Sequence, residues 1–134
     1  MGRALTGALL DTSVVIGGVS ASAAGLPESA AISVITVGEL RAGVRLAEDP
    51  SVRAARQRRL NAIRQAFEPL PVDELVAEHY GDILALARST GRASKATDLL
   101  IVATAAATGR ALHTLDDGQA SLARAARVAV TARA

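Results

Sequence analysis

The sequence predicts a three-layer α/β domain in which a mostly parallel central sheet is flanked by helices. Three observations predict it. Short apolar runs alternate with longer segments of helical periodicity, which is the order of successive βαβ units. The 134 residues suffice for one domain that buries roughly two-thirds of its unfolded surface, so a single unit over 1–134 is expected. Two of the apolar runs, moreover, end abruptly in acids, as strands do when they deliver polar groups to the carboxyl edge of a parallel sheet, where open α/β folds bind ligands.

Ala8-Leu9-Leu10 is the first strand, and it ends in Asp11-Thr12-Ser13. Val14 to Ser22 is short and rich in small residues, and Gly25-Leu26-Pro27-Glu28 marks a turn. The β-branched run Ala30 to Ile35 reads as the second strand, followed by a helix over Glu39 to Leu46 in which Leu40 and Val44 share a face. Glu48-Asp49-Pro50-Ser51 stops one helix and starts the next, with Ser51 as the expected N-cap.

Val52 to Phe67 places Leu60, Ile63 and Phe67 on one stripe and Arg53, Arg56, Arg58 and Arg64 mostly elsewhere, so it is an amphipathic, basic helix. Its arginines suit either a solvated face or a nucleic-acid contact. Pro69-Leu70-Pro71-Val72 can form only a short edge strand, because each proline removes a ladder donor. Asp73-Glu74 opens a helix that Gly91 closes, and Gly91 to Lys95 is a polar loop. Thr97 to Ala107 is the most apolar helix and belongs inside the domain. Gly109 ends it, Ala111 to Leu115 is the third clear strand, and Asp116-Asp117-Gly118 breaks that strand. A short helix over Gln119 to Ala126 and an edge strand over Val128 to Val130 complete the chain.

Composition narrows the function classes. There are no cysteines, so a disulfide framework and a Cys-based zinc site are excluded. No leader of signal-peptide length precedes the first strand, and Asp11 interrupts the apolar stretch far short of the roughly 20 residues of a membrane span; a soluble, cytoplasmic protein is expected. The net charge is +2 and the cations are almost all arginine, which suits bidentate phosphate recognition and equally reflects a GC-rich genome. With one Phe and one Tyr, stacking platforms for bases are lacking, so RNA contacts would be electrostatic.

The candidate site is a set of acids. Asp11, Glu39 beyond the second strand, and the pair Asp116-Asp117 beyond the third all fall at strand ends, and Asp98 opens the buried helix at the same edge. Carboxylates that converge repel, by about 4 kcal/mol per pair at 4 Å and an effective dielectric near 20. Protonation or a hard divalent cation must offset that. An oxygen-only donor set favours Mg²⁺, or Mn²⁺, over Zn²⁺, and such a site polarises a phosphate and activates a water for in-line attack.

Four stretches carry a family resemblance: Leu10-Asp11-Thr12-Ser13-Val14, Ser33 to Leu40, Ala96 to Ala105, and Leu112-His113-Thr114-Leu115-Asp116-Asp117. In this order and spacing the chain, from about Leu9 to Val130, resembles the PIN-domain ribonucleases, specifically the VapC-type toxins of toxin–antitoxin pairs. The resemblance implies a three-layer PIN-like domain and a Mg²⁺-dependent endoribonuclease that inhibits translation and growth by cutting tRNA or rRNA. It also implies a VapB-like antitoxin and a homodimer. Asp11, Glu39, Asp98 and Asp116 would form the metal site, with Asp11 and Asp98 the first candidates for direct ligation. Thr12, Ser13 and Thr114 would orient carboxylates or water. Many relatives follow the last acid with a further Asp-Phe, where this chain has Asp117-Gly118-Gln119; Asp117 therefore stands as the alternative to Asp116, which is favoured because it lies two residues from Thr114.

Blander readings stand beside these. Asp98 suits an N-terminal helix acid, Asp73 and Glu74 need no role beyond the helix dipole, and His113 suits a core position. Arg92 and Lys95 precede Asp98 and fit either RNA phosphates or solvent. The alternative function is a non-catalytic RNA- or partner-binding module. An aspartyl phosphatase is disfavoured because Ser13 stands where its second acid would be.

Overall fold

The computed structural model describes residues 7–17 and 29–132; the turn expected at Gly25 to Glu28 and the end of the small-residue stretch lie outside them. The elements run β1 (Ala8–Leu10), α1 (Thr12–Gly17), β2 (Ile32–Ser33), α2 (Val34–Leu46), α3 (Pro50–Ala66), β3 (Pro69–Leu70), α4 (Glu74–Ser89), α5 (Ala96–Thr108), β4 (Ala111–Thr114), α6 (Asp117–Ala125) and β5 (Val130–Ala132).

β4 pairs with both β1 and β5, β2 pairs with β3, and a bridge between Leu9 and Ala31 joins the two sheets. Every described pairing is parallel, and the strands lie in the order β3-β2-β1-β4-β5. Successive crossovers from β1 go first to one side and then to the other, so the order reverses beside β1. The crevice at the carboxyl ends of β1 and β4 is thus the topological switch point, the usual ligand site of such a sheet.

Strand alternation divides the core into two helical layers. Leu9 and Leu112 face one side, where Val76 and Ile83 of α4, Leu99, Ile101 and Val102 of α5, and Leu122 of α6 bury against them. Leu10 and Ile32 face the other, with Val14 and Val15 of α1, Leu40 and Val44 of α2, and Leu60 and Ile63 of α3. The expected three-layer architecture is therefore present. Among the described residues no helix is long and apolar enough to cross a membrane.

Helix ends follow local chemistry. Asp73 caps α4 by accepting from the Val76 amide at 3.0 Å. Gly91, at φ 74°, lets the Gly91 and Arg92 amides turn back to the Arg88 and Ala87 carbonyls, a Schellman closure. Gly109, at φ 67°, does the same for α5.

Several boundaries differ from expectation; α6, for one, begins at Asp117 rather than Gln119, because Asp116 caps it. The second strand ends at Ser33 rather than Ile35, and α2 starts five residues before Glu39. The buried Ser33 hydroxyl accepts from the Ile35 amide at 2.9 Å, and this cap, together with burial of Thr36, Leu40 and Val44 on one helical face, overrides the β-branched preference of Val34 and Ile35. Asp49, not Ser51, caps α3: its carboxylate accepts from the Ser51 amide and hydroxyl. The Ser51 hydroxyl and amide hold Asp49 below the usual carboxylate range, and Pro50 takes the first helical position. The last strand lies at Val130–Ala132 rather than Val128 to Val130, because Arg127 at φ 63° and the Val128 amide, bonded to the Ala123 carbonyl, are still turning out of α6.

His113 lies in the core, 9% exposed, and its Nδ1 has no hydrogen-bond partner among the described residues. A buried polar atom without a partner costs about 1–3 kcal/mol. His113→Leu is accordingly expected to unfold at a denaturant midpoint equal to or above that of the parent protein; a marked fall in the midpoint would contradict this placement.

Candidate active site at the carboxyl edge of the sheet

Asp11 is held by both strands of the switch point. Its amide donates to the His113 carbonyl at 2.8 Å, and its carbonyl accepts from Val14, starting α1. The side chain is 5% exposed. Oδ2 accepts from the Ser13 hydroxyl at 2.6 Å and from the Thr114 hydroxyl at 2.9 Å. Oδ1 accepts from Gln119 Nε2 at 3.3 Å. The Ser13 hydroxyl in turn accepts from the Leu115 amide, and the Thr114 hydroxyl from the Asp116 amide. Each hydroxyl has one hydrogen and gives it to Asp11, so the 3.3 Å separation of Ser13 Oγ and Thr114 Oγ1 is the approach of two donors to one oxygen. The Asp11 side chain thus has a fixed orientation.

Glu39 is oriented by a relay across two helices. Thr12 donates to Glu39 Oε1 at 2.6 Å, and its oxygen lies 2.8 Å from Thr36 Oγ1. Since the Thr12 hydrogen is committed to Glu39, Thr36 is the donor in that second bond. Thr36 is fully buried and sits one turn before Glu39 on α2, on the same side of the helix. Thr36→Val, which keeps the shape and removes the hydroxyl, is expected to cost about 1 kcal/mol in stability and about 10- to 100-fold in activity through the loosened Glu39; urea denaturation and a turnover assay read the two effects.

Asp98 lies in the first turn of α5, but the N-cap residue Lys95 makes no side-chain cap. Among the described residues no hydrogen bond engages the Asp98 carboxylate. Its pKa is raised, first by burial and then by repulsion from Asp11, Glu39 and Asp116, against the attraction of Lys95. One carboxyl therefore feels the other three. Asp117, which is exposed, is not among the groups that act on it. Asp116 caps α6 with Oδ1, accepting from the Gln119 amide at 3.0 Å, and its Oδ2 makes no hydrogen bond to a described residue. Gly118 permits this close turn, since a Cβ there would stand 3.2 Å from Asp116 Oδ1.

The four acids share an edge and a field without being drawn tight: among the described residues no three Asp, Glu or His side chains are grouped closely enough to hold one ion. Their chemistry nonetheless suits a hard cation, with oxygen donors, accumulated negative charge and one carboxyl whose ionised form is disfavoured.

Gln119 and Thr36 have no counterpart in the expectations from sequence. Gln119 is 5% exposed and its Nε2 also donates to the Asp98 carbonyl at 3.1 Å, tying Asp11 to the start of α5. Only its place one turn after Asp116 hinted at this. Arg92 is half-buried and its amide closes α4, whereas Lys95 is exposed beside Asp98.

Residues 8–125 match the model of the PIN domain. The chain is 44% identical over 100 residues to Ribonuclease VapC8 of Mycobacterium tuberculosis, covering 72% of this chain and 88% of that protein. It is 38% identical over 119 residues to Ribonuclease VapC4 of the same organism, covering 86% and 90%. Among solved structures, VapBC-5 from Mycobacterium tuberculosis, a member of the VapBC family of toxin–antitoxin systems, superposes with a TM-score of 0.79 at 32% identity, covering 94% of this chain and 96% of that one. FitAcB from Neisseria gonorrhoeae superposes with a TM-score of 0.77 at 34% identity, covering 91% and 94%.

Proposed function

The chain belongs to the PIN-domain family, and on that premise we propose that it is the endoribonuclease toxin of a toxin–antitoxin pair, hydrolysing RNA phosphodiester bonds at the edge built by Asp11, Glu39, Asp98 and Asp116. The observation that supports this reading is the field at Asp98, whose ionised form is disfavoured first by burial and then by three other carboxylates, from the end of β1, from α2 and from the β4–α6 junction. PIN-domain ribonucleases are metal-dependent. Mg²⁺, with Mn²⁺ as a substitute, suits the oxygen-only donors of those four acids, Asp11 and Asp98 first, and supplies Lewis-acid polarisation of the phosphate and an acidified water.

The chain's own residues do the rest. Ser13, Thr114 and Gln119 fix the orientation of the Asp11 side chain at the crevice, and Thr12 with Thr36 sets the angle of Glu39. Asp116, rather than Asp117, completes the acidic edge. Lys95 and Arg92, at the mouth of α5, draw the RNA backbone toward Asp98. Inhibition of translation and growth through tRNA or rRNA, a VapB-like antitoxin over the acidic crevice, a homodimer and a cytoplasmic location complete the reading. The non-catalytic alternative draws on the arginines of α3.

Incubation with total RNA and mapping of new 5′ ends separates the two readings. Cleavage is expected with Mg²⁺ or Mn²⁺, absent in EDTA and restored when the ion is returned; RNA binding without new ends under any of these conditions would favour the non-catalytic module.

A further inference from the structure

A cleft of about 290 Å³ opens between α1, α2 and α3, lined by Ile16, Glu39, Leu40, Gly43, Arg56 and Arg59. Glu39 belongs to both this cleft and the acidic edge, so the two are continuous. The arginines of α3 are not equivalent. Arg53 spends Nε and Nη2 on the Ala47 carbonyl, at the carboxyl end of α2. Arg56 gives Nη1 to the Gly43 carbonyl at 2.8 Å, which fixes its guanidinium at the cleft and leaves its other N–H groups available. Arg59, one turn further along the same side, is exposed and makes no hydrogen bond to a described residue. Opposite them, Ile16 is 56% exposed.

The cleft therefore offers a cationic wall, an aliphatic floor and, at one end, the acidic edge. A ligand that suits all three carries a phosphate beside a less polar body and continues toward Glu39. Its volume lies at the lower limit of small-molecule sites, enough for one unit of a chain rather than a folded domain. Resting on the ribonuclease reading, we propose that this cleft is a substrate subsite: Arg56 and Arg59 hold the phosphate of a nucleotide flanking the scissile bond, with its sugar and base against Ile16 and Leu40. With no aromatic side chain in the lining, the base is packed rather than stacked, and recognition there is insensitive to sequence.

The test uses the full chain and a short fluorescein-labelled single-stranded RNA of mixed sequence. Binding is measured by anisotropy across a salt series in an Asp98→Asn background, and cleavage kinetics in the otherwise unaltered chain. Arg59→Ala is expected to weaken binding about 5- to 10-fold and to lower the slope of log affinity against log salt by about 0.7, the loss of one single-strand phosphate contact. KM rises by a similar factor and kcat holds. Arg59→Lys keeps the slope. Arg127→Gly removes an equal charge before β5, at the far edge of the sheet, and is expected to change neither. If the chain cuts RNA but Arg59→Ala binds it with unchanged affinity and slope, the subsite is overturned and the cleft is left to a protein occupant. If the chain neither binds nor cuts RNA, the ribonuclease reading falls and takes the subsite with it.

Discussion

Asp98→Asn is expected to remove RNA cleavage while making the fold more stable at neutral pH. The two effects have one cause. Burial and the charges of Asp11, Glu39 and Asp116 disfavour the Asp98 carboxylate, and an amide of the same shape relieves that repulsion. The same substitution removes a charge from the donor set that favours a divalent cation, at an expected loss of about 10²–10³-fold in turnover, or about 3–4 kcal/mol of barrier.

The sign follows from linkage. A carboxyl whose pKa is higher folded than unfolded binds more protons in the native state, so stability falls as pH rises from the unfolded value toward the folded one. The stabilisation of Asp98→Asn is therefore full above the folded pKa of Asp98 and vanishes below the ordinary value of 3.8. Thermal melts at neutral pH and at pH about 3, run with a cleavage assay, read both effects. A destabilised Asp98→Asn protein at neutral pH would contradict the repulsive field, and an active one would remove Asp98 from the site.

Asp11→Asn is expected to abolish cleavage too, but with the opposite effect on stability. The Asp11 carboxylate is buried and accepts from Ser13, Thr114 and Gln119. An asparagine oxygen can still accept from the two hydroxyls. Its amide nitrogen then faces Gln119 Nε2, donor against donor, and Gln119 cannot rotate without giving up its bond to the Asp98 carbonyl. One buried polar group is left unpaired in either arrangement, a cost of about 1–3 kcal/mol. Gln119→Leu in the same background should recover part of that loss, because it removes the opposing donor. Two isosteric Asp-to-Asn changes at one site, moving stability in opposite directions, would distinguish the acid that is held from the acid that is strained. Equal shifts at both positions would sink this account of the hydrogen-bond network.

How far the site is legible in the sequence depends on the range of the interaction. Asp11, Glu39, Asp98 and Asp116 stand out because strand ends and helix starts are written locally, in apolar runs, glycines and caps. Glu39 lies in the second turn of its helix rather than near its start, because the helix begins earlier than its β-branched residues suggest, while Leu40 and Val44 still carry the period. Asp49 takes the cap expected of Ser51 because Pro50 occupies the first helical position and leaves the cap to the residue before it.

What the sequence by itself determined is the alternation of strands and helices, the two apolar faces of the sheet and the acids at its carboxyl edge, all of which follow from periodicity within a few residues. Only the tertiary structure decided which neighbours hold those acids. Gln119 reaches Asp11 across 108 residues and Thr114 across 103, and Thr36 supports Glu39 through Thr12, 24 residues away. Which arginines of α3 are spent on carbonyls was likewise set by packing. A glutamine or threonine carries no local mark of such a role, since its hydrogen bonds exist only once the parallel strands have brought distant helix ends together.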